Sequence, residues 1–111
     1  MDVPPTSSKT RRAFEDLAEE LAGRGVTLST MFGVPTLKAK GKALGSLWGD
    51  AIVFKLPPAE LDVTLQLKGA HAFDPMGGRP MKEWAVVPAA HAKRWRSLAE
   101  ASFAYVTGGR A

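Results

Sequence analysis

The stretch Met31–Leu56, MFGVPTLKAKGKALGSLWGDAIVFKL, decides the fold. It is the longest run with strand chemistry, and helical patterns flank it on both sides. Two turn signals, Lys40-Gly41-Lys42 and Gly49-Asp50, cut it into three pieces. Pieces joined so tightly pair antiparallel, because parallel strands need a crossover of roughly a dozen residues. Pro35 lacks an amide hydrogen and predicts a sheet edge or a bulge. Lys38, Lys40 and Lys42 alternate with Leu37, Ala39 and Ala43, a period of two that puts the lysines on one face. Such a row can follow a phosphate backbone, but it more often keeps an exposed strand from pairing with another molecule. Ala43–Trp48 and Ala51–Leu56 form the best hairpin, with Ile52 and Phe54 turned to the core and Val53 and Lys55 turned away. Gly45-Ser46-Leu47-Trp48-Gly49 is not a nucleophile elbow, since its serine stands one position too early.

On the N-terminal side, Val26–Thr30 alternates apolar and polar residues and starts the first strand. Before it, Phe14, Leu17, Ala18 and Leu21 mark one face of a helix that Ser7 or Ser8 can cap and that Gly23 and Gly25 end. Residues 1–7 hold two prolines and read as a flexible leader to a domain over 8–111. On the C-terminal side, Pro57-Pro58 stops the strand and opens a second helix, carried by Leu61, Thr64 and Leu65. Ala70–Phe73 is a short strand, Asp74–Pro80 the strongest loop signal, and Met81–Val87 the final strand. Pro88 opens the last helix, whose apolar face runs through Trp95, Leu98, Ala99, Ser102, Tyr105 and Val106.

The order α-β-β-β-α-β-β-α is that of a single α+β domain, an antiparallel sheet of about five strands with its helices mainly on one face. The predicted core is Phe14, Leu17, Leu21, Ile52, Phe54, Leu61, Leu65, Phe73, Trp84, Trp95 and Leu98.

Composition bounds the chemistry. With 111 residues, 45% of them apolar, the chain can bury about 65% of the surface its unfolded form exposes. It has no cysteine, which excludes disulfides and thiolate metal sites and permits a cytoplasmic location. No run approaches a membrane span and no apolar signal segment opens the sequence, so no membrane contact is expected. The net charge of +4 raises the prior for an acidic partner, but the excess is spread along the chain.

Catalytic groups are sparse. His71 and His91 are the only histidines, and neither has an identifiable nucleophile. His71-x-x-Asp74 offers two metal ligands where a site needs three or four. The Glu15 and Glu19 pair reads as a solvated helix face, and Trp95, though set among Lys93, Arg94 and Arg96, reads as core. No cofactor and no metal are expected. The best functional candidate is the 74–82 loop, where Gly77, Gly78, Arg79 and Lys82 could receive a carboxylate or phosphate. The simpler reading has Arg79 pairing with Asp74 or Glu83 to pin the turn.

The blocks MFG (31–33), VFKLP (53–57) and AFDPMGGRPMKEW (72–84), with the closing helix, resemble the TfoX N-terminal domain family over about residues 13–107. The segment MFGVPTL departs from the glycine-rich MFGGYGL pattern of that family. The resemblance implies an antiparallel sheet with flanking helices and a small bacterial protein of TfoX/Sxy type. Members implicated in competence regulation also carry a helical C-terminal domain, whereas this sequence ends at Ala111. The resemblance brings no catalytic residues with it.

The functional expectation is a non-enzymatic regulatory or protein-interaction module, with a small-molecule or anion-binding protein using the 74–82 loop as the alternative. A protein partner is expected, and homodimerisation is compatible with this reading. Nucleic-acid binding should be weak and without sequence preference, because scattered cations supply phosphate attraction but no base reading. Fluorescence anisotropy with unrelated duplexes should therefore give similar, weak curves that collapse as salt rises; submicromolar, sequence-selective binding at physiological salt would contradict this.

Overall fold

A computed structural model describes residues 3–31, 33–75, 77–78 and 80–108. Helix α1 (Ser8–Ala22) leads into four successive strands, β1 (Val26–Met31), β2 (Val34–Ala39), β3 (Lys42–Leu47) and β4 (Ala51–Lys55). Helix α2 (Pro58–Thr64), β5 (His71–Phe73), β6 (Met81–Pro88), a 3-10 segment (Ala89–Arg94) and α3 (Trp95–Val106) follow. The sheet has six strands in the order β1-β2-β3-β4-β6-β5, and every pairing is antiparallel. Among the described residues, no helix is long and apolar enough to cross a membrane.

The α+β class and the antiparallel sheet stand as expected; the strand count does not. The stretch expected as one opening strand folds into two, because the chain reverses between Met31 and Val34, which pair with each other. Gly33, at φ +76, supplies the backbone that this reversal needs. Lys40 is likewise a turn residue: with Gly41 it forms a two-residue connection with φ of 52 and 77. Both values are positive, the signature of a type I′ turn. The expected row of three lysines is therefore broken at its centre. Pro35 is in neither an edge strand nor a bulge. It pairs with Thr30 of β1, while the β2–β3 register begins only at Thr36, so its missing amide costs no ladder bond on that side. The bulge falls on β3 instead, where Leu44 is extra between Ala43, opposite Lys38, and Gly45, opposite Leu37.

All three helices lie on one face. Phe14, Leu17 and Leu21 of α1 and Trp95, Ala99 and Val106 of α3 close over Leu37, Leu44, Ile52, Phe54 and Val87. Leu61, Leu65 and Leu98 pack against this cluster from its margin and are only half-buried. The Trp95 indole N–H donates to the Val87 carbonyl at 3.1 Å, which satisfies the one polar atom of a buried ring. Outside, Arg96 pairs with Glu20 at 3.3 Å, and Arg24 pairs with Glu100 while stacking over the Phe103 ring at 4.3 Å. The first pair ties α3 to α1 and the second ties it to the turn after α1, but being solvated each contributes only about 0–1 kcal/mol.

Phe73 and Trp84, expected in that core, belong to a second cluster on the opposite face. Ala51, Val53, Phe73, Trp84 and Val86 are buried there, with Met31, Ala43, Trp48 and Met81 at the border. Trp48 meets Phe73 edge to face, the ring centroids 5.1 Å apart. Among the described residues this cluster takes none from a helix; strand ends and hairpin ends provide its cover.

The leader is held at its end. Ser7 caps α1 by accepting from the Thr10 amide at 3.2 Å, and its own amide donates to Asp50 Oδ1 at 2.7 Å. That bond holds the Asp50 carboxyl below its ordinary range. At the same turn a Cβ on Gly49 (φ +61) would stand 2.8 Å from Pro4 Cβ, so Pro4 packs where only glycine leaves room. Helix α1 ends without help from Gly23, which is right-handed at φ −67; Gly25, at φ +89, makes the left-handed reversal.

Trp84 is 7% exposed on the helix-free face. Replacing it with Ala should cost about 3–5 kcal/mol by the usual large-to-small rule. Denaturant unfolding checks this, and an unchanged midpoint would mean that the ring is not part of a core.

Candidate functional site

The 74–82 segment leaves the short β5 and runs two residues into β6, so Lys82, expected in the loop, is a strand residue. Phe73 opposes Met81, whereas Ala72 opposes Ala85, so residues 82–84 have no counterpart on β5. The strand bulges there, and Glu83 takes φ +75. A left-handed non-glycine residue costs on the order of 1 kcal/mol and persists only where its surroundings hold it. Here three groups do. The Leu56 amide donates to the Glu83 carbonyl at 2.8 Å, the Tyr105 hydroxyl donates to Glu83 Oε2, and Lys55 Nζ lies 3.9 Å from Oε1.

Glu83 thus links β4, β6 and α3. Sequence reading placed it only as a partner for Arg79, and nothing in the local pattern announces a left-handed glutamate. The missed signal is long-range: a lysine on the neighbouring strand and the chain's single tyrosine meet at one carboxylate.

Gly77 and Gly78 sit at the loop tip with φ of 74 and 100, both exposed, and a Cβ at either would meet nothing within 4 Å. Glycine is there for conformation, not for close approach. Their amides are already engaged. The Gly77 amide donates to the Asp74 carbonyl at 3.3 Å and the Gly78 amide to Asp74 Oδ2 at 2.8 Å. An anion at this tip would have to displace a carboxylate that the loop itself supplies. Lys82 is exposed and in no ion pair among the described residues. Arg79, the other cation of the candidate set, lies outside the described residues.

The histidines are not brought together. His71 Nδ1 is 3.2 Å from the Gly69 carbonyl, and His91 Nε2 is 2.7 Å from that of Lys68. Among the described residues no three His, Asp or Glu side chains gather as metal ligands. A groove of about 260 Å³ lies between α2 and α3, walled by Val63, Leu67 and Leu98 with Glu60 and Arg94.

The molecule's other open feature is β1. It is an edge strand of six residues, VTLSTM, with neither charge nor proline, and Leu28 at its middle is 59% exposed. The opposite edge, β5, has only three residues. Short edges resist pairing with other chains, whereas a long uncharged edge presents a row of free amides and carbonyls.

These features define an antiparallel α+β domain with a pinned bulge on one side and an open strand on the other. No family model, curated protein or solved structure matches the chain.

The Glu83 bond raises the Tyr105 phenol above its ordinary value of 10.0. A raised folded-state value means that this contribution to stability is fully present below pH about 10 and is lost as pH climbs through the folded-state value. Because Tyr105 is the only tyrosine, ultraviolet titration of tyrosinate reads it directly. Native protein should titrate above unfolded protein, and Tyr105→Phe should lower the melting temperature at neutral pH but not at strongly alkaline pH. Coincident native and unfolded titrations would remove the hydrogen bond.

Proposed function

We propose that this chain is a non-enzymatic interaction module of the TfoX N-terminal type that binds proteins by adding a strand to its sheet. The open β1 edge carries the reading. Strand addition draws affinity from main-chain hydrogen bonds and specificity from alternate side chains. β1 offers both, with Leu28 as the apolar contact. The polar groups of the candidate loop support the same reading from the other side. Asp74, Gly77, Gly78 and Glu83 are occupied in holding the chain's own backbone, so they serve shape more than chemistry. The family likeness rests on the sequence blocks described above and on an element order that agrees with it, and the cytoplasm is the proposed location.

Affinity capture from bacterial lysate tests the proposal. Wild-type protein should retain a specific polypeptide, and Leu28→Lys, which charges the edge without touching the core, should lose it while melting at an unchanged temperature. Capture indifferent to Leu28→Lys would refute the edge reading. A dose-dependent thermal shift with phosphate or carboxylate ligands, unaccompanied by protein capture, would favour anion binding instead.

A further inference from the structure

We infer that the strand added to β1 is β1 of a second copy, paired antiparallel about a two-fold axis through Leu28. The inference rests on the strand-addition reading and names its partner. Backbone direction comes first. Met31 and Val34 close a two-residue connection, and the residues closing such a turn exchange hydrogen bonds with each other. Because direction alternates along an antiparallel strand, Ser29 and Thr27 also bond inward to β2. Thr27 Oγ1 reaching the Lys38 carbonyl, at 3.5 Å, agrees with that phase. The amides and carbonyls of Val26, Leu28 and Thr30 therefore point out of the sheet. In a two-fold pair centred on Leu28, Leu28 faces Leu28 of the other copy and Val26 faces Thr30, each pair exchanging two N–H···O bonds. Every outward group of the strand's middle is then satisfied, and the most exposed leucine is covered by its own copy.

Charge selects the same arrangement. Basic residues lie at one end of the edge: Lys38, Lys40 and Lys42 surround the Val26 end through the Val26–Ala39 and Ala39–Lys42 pairings. The other end, Thr30, Met31, Gly33 and Val34, carries no charge. Antiparallel self-pairing sets each basic end against the neutral end of the other copy. Parallel pairing would stack the lysines, and like charges brought together repel. The pair is isologous and closed, so it stops at two copies and does not grow into a filament. The other edge, three residues long, offers no second template.

Sedimentation equilibrium of the full chain should show the mass rising with concentration from 11.9 kDa toward twice that value, while Leu28→Lys stays at the lower mass with an unchanged circular dichroism spectrum. Register is read by single cysteines, since the chain has none of its own. Paired residues of this kind stand about 5.5 Å apart at Cα, within disulfide reach. Under mild oxidation Leu28→Cys should cross-link at least tenfold faster than Thr30→Cys, which faces Val26 and not itself. A monomer at every concentration, or equal cross-linking by both variants, overturns the proposal. If Leu28→Lys nevertheless abolishes capture of another protein from lysate, strand addition stands and only the identity of its partner is wrong. If capture is also unaffected, both readings fall together.

Discussion

Strand β4 imposes the constraint on which the rest of the structure depends. Ile52, Val53 and Phe54 are each fully buried, so consecutive residues, pointing to opposite faces, are all shut away from water. An antiparallel sheet can leave one face wet, but a strand apolar on both sides cannot. One face is covered by α1, α2 and α3. The other has no helix among the described residues, and the molecule covers it from its own sheet, with Trp48, Met31 and Met81 around Val53, Trp84 and Phe73. The insertion of β6 between β4 and β5 follows from the same need, because it gives β4 an apolar neighbour, Ala85-Val86-Val87, on its second side.

How far the sequence foretold this depends on the range of each signal. Helical periodicity in Phe14, Leu17 and Leu21, the prolines that open α2 and the last helical segment, and the glycine turn before β4 are local, and they read correctly. The reversal between Met31 and Val34 is hard to read because the run around it keeps strand composition; Gly33 alone signals it, and the nearby Pro35 points elsewhere. Lysine periodicity misled for a related reason. Alternation of two continues smoothly through a two-residue turn, so Lys40 kept its place in the pattern after leaving the strand. The second core had a visible signal that a strict alternation discounts: Ala51-Ile52-Val53-Phe54 is an unbroken apolar run, the mark of a strand buried on both faces.

The candidate site was legible in outline only. Asp74–Pro80 declared itself as a loop, and the loop is there. What sequence could not show is where hydrogen-bonding capacity goes. Asp74 turns back on the Gly78 amide, and Glu83 reaches Tyr105 twenty-two positions away. Asp74 serves the backbone of its own loop, and the Glu83 carboxylate serves the side chains of Tyr105 and Lys55. The exposed β1 edge escaped notice for the opposite reason: it contains none of the residue types that announce chemistry. Its significance comes from its place at the end of the strand order, and that is a property of topology.

The strand order also has a consequence for the newborn chain. On the ribosome β1 to β4 emerge in sequence and can pair as they appear, whereas the partner of β4 on its other side comes only after α2, β5 and the loop. Throughout that interval the most apolar strand is an open edge, with α1 the only helix yet made to cover it and its opposite face still bare of Phe73 and Trp84. Pro57-Pro58 follow it at once, and neither has an amide hydrogen with which to extend a ladder. The double proline thus ends the temporary edge where it would otherwise lengthen. During synthesis it protects a strand that the finished fold shields from both sides.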